Sequence, residues 1–295
     1  MLKLALPSGS LQKPTQEMFA AADLNISTPD ARCYEATIDD HRISMVRWMR
    51  PQEIPLYVAE GRFDLGIGGY DWVVERGCAD NVEVVMKLNY SKRSNHPVRL
   101  VVVVSETSPI QSVADIKPGS RVTTEYVEIT RQHFEKLGIP VKIDFSFGTT
   151  EAKVPEIADV AVELTESGSS LRANHLKIID TIMESSTVLI ANKQSWNDPE
   201  KHREIMDLTT LLQGVLAARG KVLIKMNIAQ AHLEDVLKML PSMKNPTISQ
   251  LSGGQSVYYA VESVVEKAGI NKLIPQLKSA GAEDILEIPI AKVIR

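Results

Sequence analysis

The sequence predicts an α/β protein that ends in a small ferredoxin-like domain, and three observations lead to this prediction. Short apolar strands alternate with helical patterns over roughly the first two hundred residues, which favours a mainly parallel sheet. Beyond about residue 219 the order changes to strand, helix, strand, strand, helix, strand, which is the ferredoxin-like arrangement. At 295 residues the chain is also long enough for two or three domains.

The first elements follow from apolar runs and the spacing between them. The segment LKLAL predicts the first strand, and helical spacing follows from Leu11 to Ala22. The stretch DLGIGGYDWVVERG predicts a buried strand, a glycine turn and the start of a helix. The run VRLVVVVSE is continuously apolar, which is typical of a strand covered on both faces.

Further strands and helices follow this apolar run. RVTTEY, VKIDFSF, IADVAVEL and STVLIAN predict strands, and ITRQHFEKLGI predicts a helix. From Leu171 to Met183 the apolar residues recur at helical offsets, which predicts a helix with His175 packed in the core. In the tail, KVLIKMN, PTISQL, SVYYAVESVV and ILEIPIAKVI predict the four strands of the last domain, with AQAHLEDVLKML and INKLIPQLKSAG as its helices.

The composition excludes several classes of protein. A net charge of −4 argues against a broad nucleic-acid surface. No window approaches the ~18 to 20 apolar residues of a membrane span, and the N-terminus lacks the apolar core of a signal peptide. Cys33 and Cys78 are too far apart in sequence to suggest a disulfide framework or a zinc site. We therefore expect a cytoplasmic protein without a nucleic-acid or membrane partner.

The segment ELTESGSSLRAN, residues 163–174, combines features that suit a sugar phosphate. Glu163 and Glu166 precede a run of small hydroxyl residues and one glycine, after an apolar strand. Small residues at a helix start let a phosphate approach the backbone N–H groups. Carboxylates would repel that phosphate but suit ribose hydroxyls or a bound Mg²⁺. The alternative is an ordinary helix capped by Ser169 or Ser170, with solvated glutamates before it.

The same segment resembles the phosphoribosyl-pyrophosphate (PRPP) loop of phosphoribosyltransferases. With its flanks, ADVAVELTESGSSLRANHLKIIDTIMESSTVLIAN is similar to the signature region of the ATP phosphoribosyltransferase family. The blocks RPQEIPLYVAEGRFDLGIGGYDWVVE, RVTTEYVEITRQHF and FGTTE resemble that family as well. The segments LEDVLKMLPSMKNPTIS and GAEDILEIPIAKVI resemble the regulatory domain of its long form, so the likeness covers nearly the whole chain.

This resemblance implies a fold, a reaction and an assembly. The fold is a two-lobed, periplasmic-binding-protein-like catalytic core followed by an ACT-like domain of ferredoxin-like fold. Lobe I would comprise residues 1–97 and 186–214, lobe II residues 98–185, and the regulatory domain residues 219–295. The family joins adenine N1 of ATP to the anomeric carbon of PRPP and releases pyrophosphate, with Mg²⁺ as cofactor. It implies a homo-oligomer between dimer and hexamer.

The resemblance also assigns site residues. Glu163 would face the ribose hydroxyls as a catalytic residue, with Glu166 as a second candidate. The substrate-binding positions it implies are Thr165, Ser167, Gly168, Ser169, Ser170, Leu171, Arg50, Glu125, Tyr126, Gly148 and Glu151. The positions it implies for histidine as a feedback inhibitor are Asn227, Met243, Thr247 and Ser249. The alternative for this last domain is a module that serves only assembly.

The chain departs from the family pattern near its N-terminus. Ser8 and Ser10 stand where many members carry a lysine and an arginine. Either other basic residues take over, or the activity is altered; the candidates are Arg32, Arg47, Arg50 and Arg93. An altered activity would favour a second hypothesis, a cytoplasmic small-molecule sensor related to the enzyme.

Overall fold

A computed structural model describes residues 1–30, 32–88, 90, 98–241, 245–253 and 256–294. The chain divides into two compact units. The first unit consists of Met1–Ala20 and Leu24–Thr209, and the second of Ala21–Asp23 and Thr210–Arg295. Within the described residues, the first unit contains a seven-stranded and a five-stranded sheet, and the second contains a four-stranded sheet.

The seven-stranded sheet takes most of its strands from the N-terminal part of the chain. They are β1 (Leu2–Pro7), β2 (Ile26–Ser27), β3 (Glu35–Ile38), β4 (Ile43–Met49), β5 (Leu65–Gly69) and β6 (Val82–Lys87), and the helices of this part are α1 (Gln12–Ala21), α2 (Ile54–Ala59) and α3 (Tyr70–Glu75). β1 lies between β4 and β5, parallel to both, and its leucines are buried. The predicted first strand, first helix and strand–turn–helix at residues 64–77 are confirmed.

The five-stranded sheet follows in sequence. Its strands are β7 (Val98–Ser105), β8 (Arg121–Thr124), β9 (Lys142–Phe145), β10 (Val160–Thr165) and β11 (Leu176–Ser185), and the helices of this part are α4 (Val127–Lys136) and α5 (Ser169–Ala173). The strand order is β11-β7-β10-β8-β9. Leu100, Val102 and Val104 belong to one core cluster. Val101 and Val103 belong to another, so β7 is covered on both faces as predicted.

The chain then returns to the seven-stranded sheet as β12 (Thr187–Asn192). β12 lies between β5 and β6 and is antiparallel to both. Among the described strands of these two sheets, only the pairs β1–β4, β1–β5, β8–β9 and β8–β10 are parallel. The prediction of a mainly parallel sheet is therefore wrong. β3 and β4 are joined by a short turn, which permits only antiparallel pairing, and β12 enters its sheet from the opposite direction.

The predicted helix from Leu171 to Met183 is also wrong. α5 ends at Ala173, and β11 begins at Leu176. The pairing of β11 with β7 shifts register twice, between Ile178 and Asp180 and between Thr181 and Met183. Each such irregularity adds a residue to a strand and interrupts its strict alternation. The apolar residues of β11 therefore recur at intervals that imitate a helical period.

His175 lies between α5 and β11 and is not a core residue, contrary to the prediction. Its φ angle is 52°, a left-handed conformation that ends the helix. Its side chain is 86% exposed, and Nδ1 lies 3.5 Å from Glu106 Oε2. The apolar residues on either side of His175 therefore do not predict whether His175 itself is buried.

The four-stranded sheet has the predicted ferredoxin-like order. After α6 (Lys193–Asn197) and α7 (Pro199–Ala218), its elements are β13 (Lys221–Ala229), α8 (Leu233–Met239), β14 (Thr247–Gln250), β15 (Tyr258–Glu266), α9 (Ile270–Ser279) and β16 (Ala282–Pro289). The strands are antiparallel in the order β14-β15-β13-β16. Val222, Ile224, Met226 and Ile228 of β13 form a core cluster that includes residues of α8 and α9. No helix in the described part of the chain is long and apolar enough to span a membrane.

Candidate active site

The pairing of two parallel strands brings together the acidic residues at the centre of the candidate site. Thr124, the last residue of β8, is the register partner of Val162 in β10. The next residues along the chain, Glu125 just after β8 and Glu163 two residues before the end of β10, therefore lie side by side near the same edge of the sheet. Ligand sites in α/β proteins form at the carboxyl ends of such strands. Burial raises the pKa of Glu125, while the charge of Lys153 lowers it.

Glu163 has the most strongly perturbed ionisation in this group. Burial raises the pKa of its carboxyl to about 7, and the negative charges of Glu151 and Glu125 act in the same direction. Hydrogen bonds from the Thr150 hydroxyl and the Leu164 backbone N–H oppose the shift. Both the ionised and the protonated form of Glu163 are therefore substantially populated near neutral pH.

The segment that contains Gly148 and Glu151 packs beside Glu163. Ser146 Oγ lies 2.8 Å from Thr150 Oγ1, and Lys153 Nζ donates a hydrogen bond to Ser146 Oγ over 2.7 Å. Gly148 has a φ of 120°, which a residue with a side chain rarely adopts. Gly148 thus shapes the turn that presents Glu151. Sequence reasoning missed Thr150, which lies within the FGTTE block, and Lys153, two residues after that block.

The predicted PRPP loop, residues 165–171, is folded by its own hydrogen bonds. The Gly168 N–H donates to Thr165 Oγ1 over 3.0 Å, and Gly168 has a φ of 71°. The Ser167 and Ser169 hydroxyls lie 3.0 Å apart. By accepting this hydrogen bond, the Thr165 hydroxyl holds the loop together. The side chains of Ser167 and Ser169 remain exposed to a ligand.

Two features of this loop differ from the prediction. α5 has only five residues, so the loop's own amides and hydroxyls matter more than a helix dipole. Leu171 is 2% exposed and packs in a core cluster with Val101 and Val103. Its predicted contribution to substrate binding is therefore restricted to its backbone. Ser170 donates a hydrogen bond to Glu151 Oε1 over 2.5 Å, which joins the loop to the neighbouring segment.

A cleft of about 320 Å³ lies within the first unit, between segments that adjoin its two sheets. Glu125, Tyr126, Leu164 and Glu166 line it on the side of the five-stranded sheet. The residues that line it from the N-terminal segments include Ser10, Leu11, Pro51, Gln52, Gly69, Asp71 and Trp72. The structure thus places Glu166 and Glu125 in one cleft, next to the loop and Glu163.

A buried hydrogen-bonded group crosses from one side of this cleft to the other. Tyr126 Oη donates to Asp71 Oδ2 over 2.8 Å, and Ser185 Oγ donates to Asp71 Oδ1 over 2.5 Å. The Tyr126 ring stacks on Trp72 with a centroid separation of 4.5 Å. Burial raises the pKa of both Asp71 and Tyr126. The Tyr126 hydroxyl is therefore already bonded to Asp71. We infer that Tyr126 holds the two walls of the cleft together.

A second depression, of about 640 Å³, contains the predicted Arg50. Ser8, Gly9, Arg47 and Glu53 line it as well. Arg47 also lies 3.4 Å from Glu35 in an ion pair. Of the other proposed replacement cations, Arg32 is exposed beside Asp30, and Arg93 lies outside the described residues.

Three of the predicted histidine positions, Asn227, Thr247 and Ser249, share one face of the four-stranded sheet. Asn227 and Ser249 are both register partners of Ala260, one on each side of β15. Thr247 lies two residues before Ser249 on the same face. This face is opposite to the one whose β13 residues pack with α8 and α9. Asn227 Nδ2 donates to Asp284 Oδ2 over 2.9 Å. Met243 lies outside the described residues.

Comparison with known proteins identifies the family. The family model of HisG, ATP phosphoribosyltransferase, matches residues 50–214, and that of the HisG C-terminal domain matches residues 218–292. This chain belongs to the ATP phosphoribosyltransferase family. An ATP phosphoribosyltransferase of Chlorobium phaeovibrioides is 47% identical over 294 residues, which is 100% of this chain and 98% of the relative. One of Pelotomaculum thermopropionicum is 46% identical over 293 residues, 99% of each chain.

A solved structure supports the fold of the ATP phosphoribosyltransferase core. The ATP phosphoribosyl transferase (HisG:HisZ) complex from Thermotoga maritima gives a TM-score of 0.61 at 22% identity, covering 72% of this chain and 97% of that chain. The resemblance inferred from the sequence is confirmed by the family models and relatives. The chain is accordingly a transferase that uses ATP and PRPP in the first step of histidine biosynthesis. These relatives do not favour the alternative of a sensor.

Proposed function

We propose that the reaction takes place where the cleft meets Glu163 and the loop 165–171. The observation that carries this proposal is the side-by-side position of Glu125, which follows β8, and Glu163, near the carboxyl end of β10, beside a loop of exposed hydroxyls. The 5-phosphate of PRPP binds the loop, and the ribose hydroxyls face Glu163 and Glu166. Adenine N1 of ATP attacks the anomeric carbon from the cleft, and pyrophosphate leaves.

The carboxylates act mainly through charge. As the bond to pyrophosphate breaks, the ribose ring gains positive character, which nearby negative charge stabilises. Burial makes the Glu163 carboxylate more effective, because water screens it less. Adenine N1 already carries a lone pair, so attack requires positioning more than a general base.

Glu151 has a distinct role in this scheme. Its carboxylate accepts a hydrogen bond from Ser170, a hydroxyl that the proposal assigns to the 5-phosphate. An incoming phosphate competes with Glu151 for Ser170, because both are anionic acceptors. Binding of PRPP therefore moves Glu151 away from the loop and releases Ser170 to the phosphate.

Mg²⁺ enters the proposal as the ion bound to the pyrophosphate of PRPP. Among the described residues, no group of three or more Asp, Glu, His or Cys side chains is arranged to hold a metal ion, so the pyrophosphate itself would supply most of the ligands. Single carboxylates such as Glu125 or Glu163 would add hard oxygen donors of the kind that suit this ion. When bound, Mg²⁺ neutralises charge on the departing pyrophosphate. The protein residues then serve to orient the ribose and to hold the ring opposite the adenine.

Arg50 and Arg47 are proposed to bind the triphosphate of ATP. Both line the depression that contains Ser8, so they supply positive charge near the position where a family lysine is replaced. We expect Arg50→Gln to raise KM for ATP about tenfold, because a charge-assisted hydrogen bond is lost. KM for PRPP should change less than about twofold. Steady-state kinetics with each substrate varied in turn measures both values.

The matched control for this prediction is Arg131→Gln. Arg131 is exposed on α4, where it forms an ion pair with Glu128. It should leave both KM values unchanged. Equal effects of the two substitutions on ATP would argue against a specific contact of Arg50 with the triphosphate.

The second unit is proposed to bind histidine as a feedback inhibitor, in a cytoplasmic homo-oligomer between dimer and hexamer. The support is the shared open face of Asn227, Thr247 and Ser249. We expect Ser249→Leu to weaken inhibition by histidine at least about tenfold without changing the uninhibited rate. Gln250→Leu, on the other face of β14, should retain inhibition. If both variants remain fully inhibited, the open face does not bind histidine.

The experiment that tests the proposed function is an absorbance assay in the near ultraviolet. It contains ATP, PRPP, Mg²⁺ and pyrophosphatase, with and without histidine. A rise that requires both substrates and is suppressed by histidine supports turnover and regulation. A rise that histidine leaves unchanged restricts the second unit to assembly. Folded protein without product contradicts the assignment of the cleft as an active site.

A further inference from the structure

Gln52 carries a buried polar atom to which the proposed reaction assigns no role. It lies in the turn before α2 and lines the 320 Å³ cleft. Its Oε1 is buried and has no hydrogen-bond partner among the residues that the structure describes. Buried polar atoms in native proteins are nearly always paired, so an unpaired one at a binding cleft points to a ligand.

The backbone of Gln52 is held in place. Arg76 Nε donates a hydrogen bond to the Gln52 carbonyl over 3.0 Å. The Arg76 guanidinium in turn lies 5.9 Å from the centre of the Trp72 ring. The turn is therefore tied to the helix that forms the wall of the cleft. A side chain on such an anchored turn can recognise a ligand with little loss of conformational entropy.

The surroundings of Gln52 suit a flat heterocycle. Leu11, Pro51 and Trp72 contribute apolar surface to the same cleft, and Leu164 and Glu166 line its other side. The proposed ribose position lies on that other side. The neighbouring segment, from Arg50 to Glu53, also reaches the depression assigned to the triphosphate. A nucleotide can thus extend from the depression into the cleft.

We propose that Gln52 recognises adenine through its N6 amine and N7. N1 must remain free to attack the anomeric carbon. A residue that recognises adenine therefore has to bind the N6 amine from the side of N7, away from N1. A glutamine amide offers one acceptor and one donor, which match N6 and N7 in a bidentate pair. Gln52 is therefore a specificity-determining residue that favours adenine over purines without the amine. This inference rests on the proposed function.

The test pairs a change in the ligand with a change in the protein. Purine riboside triphosphate keeps N1 and N7 but lacks the amine. We expect Gln52→Met to lower kcat/KM for ATP about tenfold and to reduce the preference for ATP over the analogue at least about fivefold. KM for PRPP should stay within about twofold. Pyrophosphate release measures turnover with both nucleotides, so the readout does not depend on base absorbance.

The controls separate recognition from folding and from the proposed function. Gln132→Met, on the exposed face of α4, should keep the preference of the parent protein. Binding titrations with the unmodified protein give a second readout, independent of any variant. Equal affinity for ATP and the analogue, or an unchanged preference in Gln52→Met, would overturn the inference and leave the enzyme assignment intact. Absence of turnover with ATP and PRPP would instead overturn the proposed function together with this inference.

Discussion

The Glu163→Gln variant is expected to lose at least about a hundredfold in kcat/KM, since a preorganised charge in a water-poor site contributes this much to many reactions. Glutamine keeps the size of the side chain and can still accept the hydrogen bond from the Thr150 hydroxyl. The loss of activity therefore measures the effect of removing the negative charge. KM for ATP should change little. Initial rates with both substrates varied measure the effect. A loss below about threefold would show that the Glu163 carboxylate does not stabilise the transition state.

The pH dependence provides an independent readout for Glu163. Because burial raises the pKa of this carboxyl to about 7, the ionised form that the mechanism requires accumulates as the pH rises through that value. We expect kcat/KM of the parent protein to increase between about pH 6 and pH 8, since this quantity reports ionisations of the free enzyme. The residual activity of Glu163→Gln should lack this rise. Glu156→Gln, at an exposed position before β10 begins, serves as the control and should retain the full profile.

Glu163 also makes a prediction for stability, with its sign set by the same pKa. Its folded-state pKa of about 7 lies above the ordinary value of 4.5, so the native state binds the proton more tightly than the unfolded chain. This contribution is fully present below about pH 4.5 and is lost as the pH rises through about 7. Glu163→Gln should therefore be more stable than the parent protein at pH 8, by on the order of 2 kcal/mol. Denaturant unfolding at pH 5 and pH 8 measures the difference.

The second large effect is expected for Gly168→Val, which should raise KM for PRPP at least about thirtyfold. Gly168 has a φ of 71°, a conformation that a β-branched residue avoids. Its N–H donates to Thr165, so a backbone change at this position rearranges the loop that is proposed to bind the 5-phosphate. A thirtyfold change corresponds to about 2 kcal/mol, which is the loss of about one hydrogen bond to a charged group. Calorimetric titration with PRPP measures affinity directly.

Gly138→Val separates backbone strain from ligand binding. Gly138 has nearly the same φ, 72°, and no atom within 4 Å of an added Cβ, and it follows α4. Both valine variants should lose a similar stability, about 1–2 kcal/mol. Only Gly168→Val should lose PRPP affinity. An equal loss of affinity in both variants would indicate a general effect of destabilisation and would contradict the role of the loop.

Several parts of the fold and site could be predicted because they depend on residues close together in sequence. The apolar run of β7 predicted a strand covered on both faces, and β13 alternates as a half-buried strand should. The acid-and-hydroxyl pattern of residues 163–170 predicted a loop at the end of a strand, where β10 ends at Thr165. Local spacing carries this information because side-chain direction repeats with the period of each element.

Other features depended on the tertiary structure. β11 was mistaken for a helix because its irregular pairing with β7 is a property of two strands and not of one sequence segment. The hydrogen bond between Asp71 and Tyr126 joins residues 55 positions apart, so no local pattern could indicate it.

The ionisation of Glu163 is the clearest case of both contributions. The sequence by itself determined that a carboxylate stands at the end of an apolar strand, before a loop suited to phosphate. Only the tertiary structure decided that this carboxylate is buried and lies near Glu125 and Glu151, which raises its pKa to about 7. The physical reason is that residue types and their periodicity are local, whereas desolvation and charge–charge interaction depend on which distant segments the fold brings together.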